Sequence, residues 1–216
     1  MLEAAKAKLL IYGAGGHGRV VLDAARASGC FCGYAFVDEA EGLAGKQVDG
    51  VAVYATPDEV LCEEGPWQAV IALGDPRLRI EAVQRISQMG IPFATVAHPF
   101  AWLSEVATIG EGTVVFAGAI IQPGTYIGKH SIINTSSSVD HDCRIGDFAH
   151  ISPGAHLAGR VTVGRSAHVG MGASVIPGVV IGEEAVVGAG AVVVRDVPGG
   201  ATVVGVPAKP NAGSGG

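Results

Sequence analysis

The sequence predicts two architectures in tandem, a small α/β domain and then a parallel β-solenoid of six-residue repeats. Three observations carry this. From Leu103 to Val193 an aliphatic residue recurs at every sixth position, sixteen times without a miss. An aliphatic-glycine pair recurs every 18 residues, at Ile109-Gly110, Ile127-Gly128, Ile145-Gly146, Val163-Gly164 and Ile181-Gly182. Upstream of residue 98 the pattern changes to strand-like and helix-like segments in alternation, punctuated by glycine-rich loops.

A period of six fits neither the 3.6 of a helix nor the 2 of an ordinary strand. It fits a hexapeptide solenoid, in which each hexad supplies one short strand and one corner. The residue two before each aliphatic is small or β-branched, as at Thr113, Ala119, Thr125, Ser131, Ser137, Cys143 and Ala149. Such side chains suit a tight corner beside an inward-pointing aliphatic. Three hexads make one triangular turn, so residues 18 apart stack on neighbouring coils, about 4.8 Å apart.

In the first part, residues 8–12, 34–37, 69–73 and 92–97 read as strands, and residues 19–28 and 78–89 as helices. Strands alternating with helices imply a small Rossmann-like parallel sheet. Ligands of such sheets sit beyond the carboxyl ends of the strands. Those ends are the glycine loop 13–18, Asp38-Glu39 and Gly74-Asp75, which converge on one crevice. The expected boundaries are residues 1–98 for this domain, 99–210 for the solenoid and 211–216 for a disordered tail.

Net charge is −6 and no basic run occurs, which argues against a nucleic-acid partner. Cys30, Cys32, Cys62 and Cys143 form neither a zinc set nor a CxxC motif. Reduced thiols, and an amino terminus with neither a signal peptide nor a membrane span, lead us to expect a cytoplasmic protein without a membrane partner.

The loop Gly13-x-Gly15-x-x-Gly18, with Asp38 twenty residues beyond it, matches the dinucleotide fingerprint. The domain is too small for the two halves that hold a dinucleotide, and a solenoid offers no hydride-transfer partner. The loop chemistry remains. Glycines let backbone N–H groups approach an anion at a helix N-terminus. The better reading is a nucleoside diphosphate carried by a substrate. Gly15, Gly16 and His17 then meet phosphate or sugar, and Asp38 or Glu39 meets base or ribose.

His141 lies between Asp140 and Asp142 at an outward-facing hexad position. Flanking carboxylates favour the charged imidazole, which suits a general base acting on an amine or hydroxyl. Gly159, eighteen residues on, leaves room for a thioester beside it and an N–H for an oxyanion. His150 and His168 should stack on one face. A metal site there is the weaker reading, because no glutamate accompanies them in a suggestive spacing and the glycine-rich nucleotide domain would be unexplained, so no metal is expected. Cys143 is a possible covalent nucleophile, but its hexad position favours a small corner residue.

Gly13-Ala14-Gly15-Gly16-His17-Gly18, the stretch from Asn134 to Cys143 around Val139-Asp140-His141-Asp142, residues 145–152 and Gly205-Val206-Pro207-Ala208-Lys209 resemble the nucleotide-sugar acetyltransferases with a left-handed β-helix. The resemblance covers residues 8–209. It implies left-handed coils, a homotrimer, and acetyl-CoA as co-substrate in a groove between neighbouring solenoids. It implies His141 as general base with Asp142 supporting it, where the bacillosamine branch of the family has glutamate. It implies that Gly15, Gly16, His17, Asp38, Glu39 and Gly74 hold the nucleotide sugar, and that His150, Met171 and Ala189 contact acetyl-CoA, to which the register adds Gly159 beside the base. The reaction it implies is N-acetylation of a nucleotide-linked 4-amino-4,6-dideoxy sugar, with GDP-perosamine favoured. The alternatives are O-acetylation of a sialic acid or polysaccharide sugar, and a nucleotide-binding scaffold without catalysis.

Overall fold

The computed structural model describes residues 6–40 and 42–211. The chain divides into two compact units, Met1–His98 and Pro99–Gly216.

In the first unit a five-stranded sheet has the order β3-β4-β2-β1-β5, with β1 Lys8–Tyr12, β2 Gly33–Val37, β3 Gln47–Val48, β4 Val51–Tyr54 and β5 Trp67–Ile71. β1 is central and parallel to both β2 and β5, and β4 is parallel to β2. A strand covered on both faces needs an unbroken apolar run. Leu9, Leu10 and Ile11 supply it and are fully buried. Helices α1 Gly16–Ser28 and α3 Pro76–Gln88 follow β1 and β5, with α2 Pro57–Leu61 between β4 and β5. α3 packs Ala82 and Ile86 into the core with Leu10, Val37 and Ile71.

Three details differ from the sequence expectation. α1 begins at Gly16 rather than at residue 19, so the glycine loop opens directly into the helix. The antiparallel β3–β4 hairpin and α2 were not expected. Its two-residue connection is Asp49-Gly50, both left-handed at φ 48 and 77. Aspartate and glycine tolerate that region, and Asp-Gly is the usual composition of such a turn. The last segment keeps only Val96–Ala97 as a strand, although Phe93 bridges in parallel to Ala69.

The second unit is a left-handed parallel β-helix of hexapeptide repeats. Its two-residue strands start at Trp102–Leu103 and recur every six residues to Val192–Val193. Each pairs in parallel with strands 18 residues away, as Ser138–Val139 does with Ile120–Ile121 and His156–Leu157. The first face holds the strands of Trp102, Ile120, Ser138, His156, Ser174 and Val192. The second holds those of Thr108, Tyr126, Arg144, Thr162 and Val180. The third includes those of Val114, Ile132, His150, His168 and Val186.

The aliphatic of every hexad points inward. All are buried except the first two, Leu103 and Ile109, which are half-buried. Each such side chain contributes about 1.5–3 kcal/mol through burial. From Thr113 on the small corner residues are buried too, and the hydroxyls of Thr113, Thr125 and Ser131 satisfy backbone carbonyls of the next coil. Thr113 donates to the Gly128 carbonyl at 2.8 Å, and Ser131 to the Gly146 carbonyl at 3.0 Å. Cys143 does the same through its thiol, to the Ala158 carbonyl at 3.2 Å. One residue of each corner from Gly112 to Gly190 is left-handed. Gly124 and Gly154 take this conformation freely, whereas Asp142 and Arg160 are non-glycine residues at φ 59 and 61.

Of the tail expected to be disordered, the Asn211 N–H bonds to the Thr202 carbonyl at 2.8 Å, and residues 212–216 lie outside the described residues. Among the described residues no helix is long and apolar enough to cross a membrane.

Candidate active site

In the first unit, the ends of β1, β2 and β5 border an open crevice of about 300 Å³, lined among others by Tyr12, Gly13, Asp38, Glu39, Leu73 and Arg85. The loop glycines fall into two classes. Gly13 has φ 111, and a Cβ there would sit 2.8 Å from the Ala72 carbonyl oxygen. A Cβ on Gly18 would lie 1.9 Å from the Gly13 carbonyl oxygen. These two glycines are demanded by packing. At Gly15, Gly16 and Gly74 a Cβ would meet nothing within 4 Å, and none of the three has a left-handed φ. The fold does not require glycine there, whereas a ligand approaching the backbone would.

Asp38 is a tie between loops. Its Oδ2 accepts from the Ala14 N–H at 2.8 Å and its Oδ1 from the Ala40 N–H at 2.9 Å. Glu39 accepts from the Tyr12 hydroxyl at 2.6 Å and pairs with Arg85. Burial, then the bond to Glu39, pushes the Tyr12 phenol up to about 12, so it stays a donor. His17 lies in the first turn of α1, with its Nε2 shielded from solvent. Burial, then the nearby Arg79 charge, pushes its pKa down to about 4, so the imidazole is neutral at neutral pH. The Gly74 carbonyl accepts from Arg79 Nη1 at 2.9 Å.

In the second unit His141 precedes the left-handed Asp142 at the corner between the first and second faces. That corner turns both side chains outward, and they are 48% and 61% exposed. His141 Nδ1 lies 2.9 Å from Asp142 Oδ2. An ionised carboxylate only accepts, so Nδ1 carries the proton and Nε2 holds the free lone pair. Gly159 stacks over this corner. A Cβ there would lie 2.5 Å from His141 Nε2. The absence of a side chain at Gly159 is what leaves space for the His141 ring. Cys143, next in the chain, is buried, and burial pushes its thiol up, away from thiolate.

His150 lies on the third face, its ring stacked on His168 with centroids 4.8 Å apart and planes 3° apart. His150 Nε2 lies 3.0 Å from Asn134 Nδ2, and His168 Nε2 lies 2.7 Å from the Ser152 hydroxyl. Met171 and Ala189 are exposed on the edge between the third and first faces. Corners stack there through Gly172 N–H to the Pro153 carbonyl at 3.0 Å and Gly190 N–H to the Met171 carbonyl at 2.7 Å.

A model of the PglD N-terminal domain matches residues 8–86, and one of the bacterial transferase hexapeptide (six repeats) matches residues 160–195. The acetyltransferase domain of PglB from Neisseria gonorrhoeae FA1090 matches with a TM-score of 0.89 at 38% identity, over 95% of this chain and 100% of that one. A histidine-to-asparagine mutant of perosamine N-acetyltransferase from Caulobacter crescentus, in complex with CoA and GDP-perosamine, matches with a TM-score of 0.89 at 40% identity, over 96% of this chain and 98% of that one. The chain belongs to the hexapeptide-repeat acetyltransferases with a PglD-type N-terminal domain. GDP-perosamine N-acetyltransferase of Escherichia coli O157:H7 is 33% identical over 137 residues, which span 62% of this chain and 62% of that enzyme.

This acetyltransferase groups the expected site residues in three places. Gly15, Gly16, His17, Asp38, Glu39 and Gly74 gather at one end of the sheet. His141, Asp142 and Gly159 share one edge of the solenoid, and Met171 and Ala189 share another, next to the face of His150. Gly159 sits beside the base, where the 18-residue register puts it.

Sequence reasoning missed Tyr12, Arg79, Arg85, Asn134 and Ser152. Arg79 left a signal: with Ala82 and Ile86 it lies at i, i+3 and i+7 on the buried face of α3. Tyr12 and Arg85 left none, because their roles depend on the long-range bond to Glu39.

Proposed function

We propose that this acetyltransferase transfers the acetyl group of acetyl-CoA to the 4-amino group of a nucleotide-linked 4-amino-4,6-dideoxy sugar, GDP-perosamine being the favoured substrate. The observation that carries the reading is the His141–Asp142 pair, a half-exposed imidazole whose protonated Nδ1 is held by carboxylate and whose Nε2 keeps its lone pair. The amine nitrogen attacks the thioester carbonyl carbon as Nε2 takes its proton. The C–N bond forms, the C–S bond breaks, and the proton passes to the departing CoA thiolate. No side chain is acylated, in keeping with the buried, protonated Cys143 thiol. The first unit holds the nucleotide over Gly15, Gly16 and Gly74, and the edge of Met171 and Ala189 holds acetyl-CoA. The acetyl-CoA bound by one relative and the CoA and GDP-perosamine bound by another support this choice of substrates.

Base and cofactor residues occupy different edges of one solenoid. A homotrimer resolves this, with the His141 edge of one copy completing the cofactor edge of the next.

The test is release of free thiol from acetyl-CoA with GDP-perosamine, a UDP-4-amino-4,6-dideoxy sugar, a dTDP-4-amino sugar and CMP-sialic acid. Turnover on a 4-amino sugar supports the reading and names the nucleotide. Turnover on the sialic acid alone, or none on the whole panel, contradicts it.

A further inference from the structure

Arg79 has no place in the chemistry above, yet it is 1% exposed. Among the described residues no other Asp, Glu, Lys or Arg is buried to that degree. A guanidinium taken out of water is expensive unless its donors are used. Burial pushes its pKa down to about 10, so it remains a cation at neutral pH.

Its Nη1 donates to the Leu73 carbonyl at 2.7 Å and the Gly74 carbonyl at 2.9 Å. Both belong to the loop after β5, which borders the crevice. In a trans peptide the N–H points opposite to the C=O of the same unit. Drawing the carbonyls of residues 73 and 74 onto Arg79 therefore turns the N–H groups of Gly74 and Asp75 the other way. The same loop is fixed from its far end, where the Asp75 carboxylate caps α3 by accepting from the N–H groups of Arg77 and Leu78 at 2.8 and 3.2 Å. A Cβ at Gly74 would meet open space. The loop is thus locked with its amides turned away from the buried cation and with no side chain on Gly74.

We propose that Arg79 is a positioning residue for the nucleotide sugar, holding the Gly74 and Asp75 amides ready to donate to its phosphate oxygens. It touches no substrate itself. The proposal rests on the nucleotide-sugar reading of this crevice.

The test compares wild type with R79M and R79K as full chains, by steady-state kinetics on the amino sugar that wild type acetylates and by calorimetric binding of the matching nucleoside diphosphate. R79M is expected to raise KM for the nucleotide sugar, and Kd for the diphosphate, by about tenfold or more, the loss of one charge-assisted contact. KM for acetyl-CoA should stay within about twofold, because that site is on the other unit, and R79K should recover part of the loss. Unchanged nucleotide KM and Kd in R79M overturn the proposal, as does an equal rise in both KM values. Should R79M fail to fold, R79K with wild-type nucleotide KM and Kd overturns it. Failure of wild type to bind any nucleoside diphosphate overturns the nucleotide-sugar reading itself.

Discussion

Gly159 and His141 stand eighteen residues apart in sequence and in direct contact in space: a methyl on the glycine would lie 2.5 Å from the imidazole Nε2. The smallest residue of one coil is the seat of the base on the coil before it. Gly159→Ala leaves the backbone unstrained but pushes the ring off its place. A displacement of about 1 Å costs on the order of a hundredfold in rate. We expect kcat to fall by about ten- to a hundredfold while nucleotide Kd is unchanged, measured by thiol release and calorimetry.

Asp38→Asn should act on stability and on nucleotide affinity together. The aspartate accepts from one backbone N–H on each of two loops, and an amide keeps only one oxygen for them. Leaving one N–H without its acceptor costs about 1–3 kcal/mol. Urea unfolding measures the loss, and calorimetry the weakened nucleotide binding.

His17 makes stability depend on pH. Its pKa, near 6.5 in an unfolded chain, falls to about 4 in the fold. Between those values the unfolded state binds more protons, so stability rises with pH there. The His17 contribution should therefore be lost as pH falls from about 6.5 to about 4 and change no further below that. His17→Gln should remove that part of the slope, as read from melting temperatures across the range.

Mixed oligomers test how the sites are shared. His141→Asn disables the base edge, and Met171→Glu with Ala189→Glu disables the cofactor edge. Each alone should be inactive. Subunits mixed under denaturant and refolded together should regain part of wild-type turnover, because some sites combine an intact edge from each variant. Mixtures as dead as the parents would mean that each chain builds its own site.

Much of this was legible in the sequence, and the reason is periodicity. A strict six-residue repeat leaves one way to bury Leu103 to Val193, and the 18-residue register put Gly159 over His141 and His150 over His168 before any coordinates. The Asp49-Gly50 hairpin was equally readable but passed over, because the flanking strands are only two and four residues long. Asp38 has a second role that its spacing from Gly18 does not reveal: its oxygens accept from the Ala14 and Ala40 amides and tie two loops together. The same 18-residue register puts His141 and Met171 on separate edges, because they are 30 residues apart, which is not a multiple of 18. Arg79 acts through carbonyls six and five residues upstream, contacts that no motif encodes.

The most direct test of the central claim is a single-turnover transfer from acetyl-CoA to GDP-perosamine by wild type and His141→Asn. The account predicts N-acetylated sugar with wild type, and a loss of at least about a hundredfold in the variant, the usual worth of a general base, with both substrates still bound. Wild-type rates in His141→Asn would contradict it.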